Sequence, residues 1–397
     1  MKVSRRSHVP PFAVMEVLAA ANARRDAGES VLNLCAGEPA TGASDVVRRR
    51  AIDLLESGDL GYTEAMGVPS LRQAIADHYE RTYGVVVDPA RVAVTTGSSG
   101  GFMLAFLAAF DAGDRVALAR PGYPAYRNIL AALGCEVVEL DCGPETRYQP
   151  TVSQLLEAYY EGGLDGLVIA SPANPTGTMI PPAELAALSA WCTDHDVRLV
   201  SDEIYHGIVY ADPASPAGET ATAAQYLDDG AVVVNSFSKY WAMTGWRLGW
   251  LLLPEDLVGA VDALAGNIAL SPPALAQHAG VAAFSPEGYA AAAENVARYA
   301  DSRALVLDRL DDLGWDPVAP ADGAFYVYAN VAASGLDSVT WCERLLADTG
   351  VALTPGTDFD GVRGGEWVRL SFAAAPEVVA EAVDRIVAWR AAGYRRV

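Results

Sequence analysis

Lysine is almost missing from this chain. Of its 28 basic residues 26 are arginine, and the two lysines are Lys2, at the terminus, and Lys239, inside Asn235-Ser236-Phe237-Ser238-Lys239-Tyr240. Where an ordinary positive charge is wanted, the sequence uses arginine, so an isolated interior lysine points to a task arginine cannot perform. Arginine stays protonated, whereas a lysine amine can lose its proton and attack a carbonyl. A Schiff base with a carbonyl substrate or an aldehyde cofactor is the chemistry that suits it; the plain alternative is a surface lysine that escaped a codon bias. Paired cysteines are also missing. The five (Cys35, Cys135, Cys142, Cys192, Cys342) are odd in number and scattered with no Cys-x-x-Cys, which favours neither a zinc site nor a disulfide framework. Buried free thiols in a reducing cytoplasm are the expectation, with no metal.

Long apolar runs are absent as well. Ala231–Val234 and Trp250–Leu253 have strand length, far short of a membrane span, and no long apolar stretch follows Met1-Lys2-Val3-Ser4-Arg5-Arg6, so no signal peptide is expected. Basic charge is in deficit: the net charge is −22. That disfavours nucleic acid and anionic membrane as partners and requires local arginines or helix N-termini for any anionic ligand.

What is present, over 397 residues, is enough for two domains or one large α/β unit. Short runs rich in Val, Leu, Ile and Ala predict strands at Arg91–Thr95, Arg115–Ala119, Leu164–Ala170, Val197–Ser201 and Ala231–Asn235. Helices are predicted between them at Phe102–Phe110, Tyr126–Leu133 and Pro182–Asp194. Apolar strands alternating with helices imply a mostly parallel sheet covered on both faces. Near Phe284-Ser285-Pro286 the character changes to a long helix over Pro286–Leu313, a strand in Gly323–Tyr328 and a final helix from Pro376 to Ala392. The expected division is a large domain over 46–284 and a smaller α+β domain from 1–45 and 285–397. Ala40–Ser44 and Ala211–Thr222 are expected to be loops.

In such sheets ligands sit beyond the carboxyl ends of the strands, and the unusual residues fall there. Thr96-Gly97-Ser98-Ser99-Gly100-Gly101 follows the first strand; small residues at a helix start let N–H groups converge on phosphate, or make a plain tight turn. Ser171-Pro172-Ala173-Asn174-Pro175-Thr176-Gly177 brackets an asparagine with prolines, which aims one amide or simply turns the chain. Asp202 ends a buried strand and needs a cation or strong donors, unless it caps a helix. Ser236, Ser238 and Arg247 flank Lys239 with two hydroxyls and a guanidinium, a phosphate grip beside a Schiff base. Together these describe one ligand, with a phosphate, an aldehyde, a ring nitrogen wanting a carboxylate and a phenolic oxygen: pyridoxal 5′-phosphate.

With these residues in view, the chain resembles a fold-type I pyridoxal-phosphate-dependent aminotransferase of class I/II, nearest the bacterial aspartate-aminotransferase subgroup, over essentially its full length. Ala36-Gly37-Glu38-Pro39, Gly61-Tyr62, Ser171–Gly177, Ser201–Tyr205, Ser236–Gly249, Gly323–Tyr328, Pro355-Gly356 and Val368-Arg369-Leu370-Ser371 stand in the family's order and spacing. The Ser-x-Ser-Lys-x-x-x-x-x-Gly-x-Arg pattern from Ser236 to Arg247 is the most specific of these.

The resemblance implies a seven-stranded, mostly parallel sheet and a set of roles. Lys239 forms the Schiff base and shuttles the proton. Asp202 pairs with the ring nitrogen, and Asn174 and Tyr205 hydrogen-bond the phenolic oxygen. Ser98, Ser99, Ser236, Ser238 and Arg247 hold the phosphate, and Tyr123 stacks on the ring. Arg369, helped by the Gly37 backbone, clamps the substrate α-carboxylate in a two-pronged salt bridge. Tyr62 reaches the phosphate of a neighbouring subunit, which makes the active unit a homodimer. Substrates are an amino acid and a 2-oxo acid, turned over by a ping-pong mechanism.

The match departs from aspartate-preferring relatives at one place. Their small-residue loop often carries a lysine for the distal carboxylate, and here the position is Ser99. Gly266–Ser271, expected to line the pocket from the partner subunit, carries no arginine, and Ile268, Leu270 and Val9–Val14 are apolar. A neutral donor (alanine, branched-chain or aromatic) is therefore expected over aspartate, with glutamate admitted if Arg369 swings or Arg5, Arg6 or Arg127 assists. Aspartate aminotransferase proper, a β-lyase or cyclising synthase on the same fold, and a transcription regulator are the other readings; the last needs an extra DNA-binding segment and suits the charge poorly. His206 and the pair His195-Asp196 are expected to pack or face solvent, and Tyr326 and Tyr328 to be core.

Overall fold

The computed structural model describes residues 1–58, 60–210 and 220–394; positions 211–219 of the expected loop Ala211–Thr222 lie outside the described residues. Seven strands form the main sheet: β1 (Val92–Thr95), β2 (Arg115–Arg120), β3 (Glu136–Asp141), β4 (Gly166–Ala170), β5 (Arg198–Asp202), β6 (Val232–Ser236) and β7 (Gly249–Leu252). Their order across the sheet is β1-β7-β6-β5-β4-β2-β3. Every pairing is parallel except those of β7, which runs antiparallel to both β1 and β6.

Alternation along each strand explains the continuous apolar runs. Successive side chains point to opposite faces: Val233, Trp250 and Leu252 join one core cluster, while Val232, Val234 and Leu251 join another on the far face. Helices cover both faces, among them Gly97–Ala109, Pro124–Leu133 and Pro182–Asp194. Strand β3 was not foreseen. It lies at the sheet edge with Glu136 and Asp141 exposed, and charge on an edge strand discourages pairing with other chains.

A second core gathers Phe325, Trp341, Leu345, Leu370 and Trp389 with Leu32 and Leu34 from the start of the chain. It surrounds an antiparallel sheet of β8 (Tyr326–Asn330), β9 (Thr354–Pro355) and β10 (Trp367–Ser371), ordered β9-β10-β8. Leu32–Asn33 pairs parallel with Val351–Ala352. The expected helix Pro286–Leu313 ends at Leu307, where the Asp308 N–H closes on Ala304 and Val306; a separate turn, Leu310–Leu313, stops at Gly314 with φ +69°. The expected strand Gly323–Tyr328 begins only at Tyr326, because Ala324 sits at φ +56° and breaks the pleat.

Apart from β7, the strands of the main sheet end on one rim. Since β7 reverses, the connection from Ser236 to Gly249 leaves that rim and returns to it. No helix among the described residues is long and apolar enough to cross a membrane.

Candidate active site

The rim carries a cavity of about 240 Å³. Gly37, Ser98, Ser99, Tyr123, Asn174 and Asp202 line it, as do Tyr205, Ser238, Lys239, Arg247 and Arg369. They come from stretches far apart in sequence, brought together by the strand ends and by the second core. Ser236, expected here, lies elsewhere, and Tyr62, expected to serve a neighbouring subunit's site, is also outside this cavity. Tyr62 is 86% exposed on the surface. Ser236 sits behind the wall, its Oγ 2.8 Å from Ser238 Oγ and accepting the Ser238 N–H at 3.0 Å.

Lys239 Nζ donates to the Gly37 carbonyl at 2.6 Å. Burial pushes its pKa down to about 8, Arg369 and Arg247 push the same way, and Glu38 and Asp202 oppose them. Asp202, the last residue of β5, is buried and shifted the other way, to about 6. Burial raises it against the Tyr126 hydroxyl, the Ile204 N–H and Lys239. Tyr126 donates to Asp202 Oδ2 and Ile204 N to Oδ1 at 3.0 Å, so the carboxylate is fixed by neutral donors.

Arg369, on β10, reaches the cavity from the second core. Nη1 donates to Asn174 Oδ1 at 2.8 Å, and Nη2 to the Cys35 carbonyl at 2.7 Å and Thr354 Oγ1 at 3.4 Å. The guanidinium carbon lies 4.4 Å from the Tyr326 ring centre and 4.7 Å from that of Phe359. Its Nε is buried without a partner among the described residues. A planar fork held between two rings is oriented for an incoming carboxylate.

At the other end, Gly97 opens the helix Gly97–Ala109 at φ +66°, and a Cβ there would come within 2.5 Å of Arg247 Nη2. Gly249 is as tightly placed, since its Cβ would meet Ser98 N at 2.9 Å. The two glycines let a helix N-terminus, Ser98 and the Arg247 guanidinium share one small volume, suited to a phosphate. Arg247 itself lies at φ +50° with Nη1 on the Thr244 carbonyl at 2.9 Å. A buried carboxylate lacking a full cationic partner, an amine easily deprotonated and an anion cradle fit pyridoxal phosphate; Asp202, Lys239 and the Ser98–Arg247 corner would hold its three ends.

Some lining residues escaped the sequence reading. Tyr126 lies in the first turn of the helix Pro124–Leu133, with no local signal that its hydroxyl reaches β5. Tyr326 is buried, as expected of core, yet lines the cavity with its hydroxyl 2.6 Å from that of Tyr205. Val14, from the apolar stretch Val9–Val14 expected beside the pocket, does line the cavity, held by Asp358, whose carboxylate accepts the Ala13 N–H at 3.0 Å and the Val14 N–H at 3.3 Å. His206 is buried away from the cavity, Nδ1 2.8 Å from the Tyr83 hydroxyl. All five cysteines are free and buried.

The family model for aminotransferase class I and II matches residues 29–386. Valine–pyruvate aminotransferase of Mycobacterium tuberculosis is 57% identical over 389 residues, 98% of each chain. Aspartate/prephenate aminotransferase of Thermus thermophilus is 34% identical over 377 residues, 94% of this chain and 95% of that one. A solved aminotransferase from Mycobacterium tuberculosis covers 99% of this chain and 100% of its own, with a TM-score of 0.95 and 56% identity.

Proposed function

Because the chain belongs to the class I and II aminotransferases, enzymes that use pyridoxal phosphate to move an amino group from an amino acid to a 2-oxo acid, we propose that its donor is a neutral L-α-amino acid, valine or alanine before aspartate. One observation carries this reading. Among the described residues the basic side chains lining the cavity are Lys239, Arg247 and Arg369, and none of these is left for a second carboxylate. The apolar lining of the cavity includes Phe102, Ile129 and Val14. Arg127 is engaged elsewhere, donating to the Asp358 carbonyl at 2.9 Å and lying 3.9 Å from Glu139. A distal carboxylate would be buried unpaired, which is costly. The resemblance to a valine–pyruvate aminotransferase supports the same choice.

When bound, pyridoxal phosphate supplies the aldehyde that takes the amino group and a ring that accepts the electrons of the broken Cα–H bond. The chain supplies the rest. Arg369 grips the α-carboxylate, turning the substrate so that its Cα–H faces Lys239. Lys239 Nζ takes that proton; with its pKa near 8 a free amine is accessible close to neutral pH. Asp202 holds the positive ring nitrogen, and Asn174 and Tyr205 donate to the phenolic oxygen. Tyr123 covers the ring face; it already stacks against Phe12 with centroids 6.2 Å apart and planes 8° apart. The active unit is a homodimer. Exposed Tyr62, Leu60, Ile268 and Leu270 form the face that meets the second copy, and Tyr62 completes the partner's phosphate site. The free, buried thiols are compatible with a reducing cytoplasm.

The test is kcat/KM for L-valine, L-alanine, L-phenylalanine, L-glutamate and L-aspartate with pyruvate and with 2-oxoglutarate. Parallel double-reciprocal lines and a neutral donor ahead of aspartate by about tenfold or more are expected. Aspartate turned over far better than every neutral donor would overturn the reading.

A further inference from the structure

We propose that Tyr326 is a positioning residue of the amino-transfer site: its hydroxyl sets the direction in which Tyr205 donates, and its ring supports Arg369. The inference rests on the role of Tyr205 proposed above, as donor to the phenolic oxygen of the cofactor.

Tyr326 is 1% exposed, and its side chain meets three parts of the site at once. Its Oη is 2.6 Å from Tyr205 Oη. Its ring lies 4.4 Å from the Arg369 guanidinium carbon. At Gly37 a Cβ would sit 1.9 Å from the same Oη, so the hydroxyl presses on the residue whose carbonyl accepts Lys239 Nζ at 2.6 Å. Packing alone would be served by phenylalanine at this position. A hydroxyl placed at the meeting point of Tyr205 and Gly37 does something more.

Hydrogen counting shows what. A phenol carries one O–H. Two phenols 2.6 Å apart share one hydrogen bond, and whichever donates has no hydrogen left to give. Tyr205 is free to donate into the cavity only when Tyr326 donates to Tyr205. Arg369, Asp202, Lys239 and Tyr123 are the charged and titratable groups around the pair. Burial raises both phenols above their ordinary value, so both stay protonated through the working range. Accepting a hydrogen bond also makes Tyr205 a stronger donor in its turn, since chained hydrogen bonds polarise one another.

The experiment compares wild type, Tyr205→Phe, Tyr326→Phe, Tyr326→Leu and the double phenylalanine variant, all loaded with pyridoxal phosphate. The readouts are the pH midpoint of the visible absorption band, cofactor affinity from tryptophan quenching, and KM and kcat for L-valine. A donor lost from a phenolate oxygen raises that oxygen's hold on the charge-compensating proton, so Tyr205→Phe is expected to move the midpoint upward. Tyr326→Phe should move it the same way by roughly half a pH unit, about threefold in the equilibrium, lowering kcat while KM stays within about twofold because the ring remains. In the double variant the Tyr326 change should add nothing, as expected of residues acting through one bond. Tyr326→Leu removes the ring and should raise KM about fivefold. A midpoint that Tyr205→Phe shifts and Tyr326→Phe leaves in place, or two shifts that add, overturns the hydroxyl relay. Equal KM in Tyr326→Leu and Tyr326→Phe overturns the support of Arg369. If Tyr205→Phe leaves the midpoint unmoved, the role of Tyr205 itself falls, and the relay with it.

Discussion

Replacing Arg369 with lysine tests how much the planar fork matters beyond its charge. The guanidinium makes hydrogen bonds to Asn174 Oδ1, the Cys35 carbonyl and Thr354 Oγ1 between the rings of Tyr326 and Phe359. A lysine keeps the charge and a place between the rings but offers a single nitrogen. It would meet either the substrate carboxylate with one prong or the acceptors that now orient the fork. Loss of one charge-assisted hydrogen bond costs about 2 kcal/mol, and an acceptor left unsatisfied in a buried site adds roughly 1–2 kcal/mol. The total, about 3–4 kcal/mol, corresponds to a fall in kcat/KM of two to three orders of magnitude. Rapid-mixing half-reactions with L-valine and L-alanine would measure it, with cofactor affinity as the control. Both donors should fall by the same factor, since the α-carboxylate is common to them, and cofactor affinity should hold. A loss under about fivefold, or one confined to valine, would refute the assignment of Arg369 to that carboxylate.

Gly37→Ala should lower kcat further than Tyr326→Phe does and cost roughly 1–3 kcal/mol of stability, because its Cβ would push aside the buried Tyr326 ring along with its hydroxyl; steady-state rates and a melting curve check both halves. Borohydride reduction of the cofactor-loaded protein should fix one adduct on the peptide containing Lys239, and a Lys239→Arg variant should give none; mass spectrometry decides this cleanly because Lys2 is the chain's other lysine. Asp202 is held up near 6, above an unfolded carboxylate, so the folded apoprotein binds the extra proton between about pH 4 and 6. Its stability cost is therefore full above pH 6 and fades as the pH falls. Asp202→Asn should raise the apoprotein's melting temperature by about 3 °C at pH 8 and lose that gain near pH 4, while wild-type affinity for pyridoxal phosphate should weaken below pH 6, by up to about tenfold per unit. An Asn variant that binds the cofactor normally would sink the role given to Asp202.

Most of the main sheet was legible because its buried strands are short apolar runs between helices. Strand β3 was not, since Glu136, Glu139 and Asp141 break its run and the edge position that tolerates them is a property of the whole sheet. The direction of β7 was equally hidden: Gly249–Leu252 reads as an apolar strand whichever way it points. In the site, Lys239, Asp202, Asn174 and Arg247 stood out because each interrupts a pattern at or just beyond a strand end, and Arg369 followed from the family resemblance. Tyr126 and Tyr326 did not stand out, because a tyrosine in an apolar helix or strand looks like packing, and burial does not separate packing from lining a cavity. Ser236 was grouped with Ser238 by sequence, but it turns inward to brace its neighbour's backbone.

The reversal of β7 has a consequence for how the protein folds. A helical crossover after β6 would have carried the chain to the opposite rim of the sheet before the next strand began. Instead the segment from Ser236 to Gly249 behaves as a wide hairpin, and Ser238, Lys239 and Arg247 are contributed within a dozen positions of one another. Their mutual contacts have low sequence separation, so the loop-closure entropy of bringing them together is small. Half of the anion cradle can thus form when β6 and β7 pair, and a phosphate-bearing molecule arriving early would find partners there before the second core, and with it Arg369, has docked.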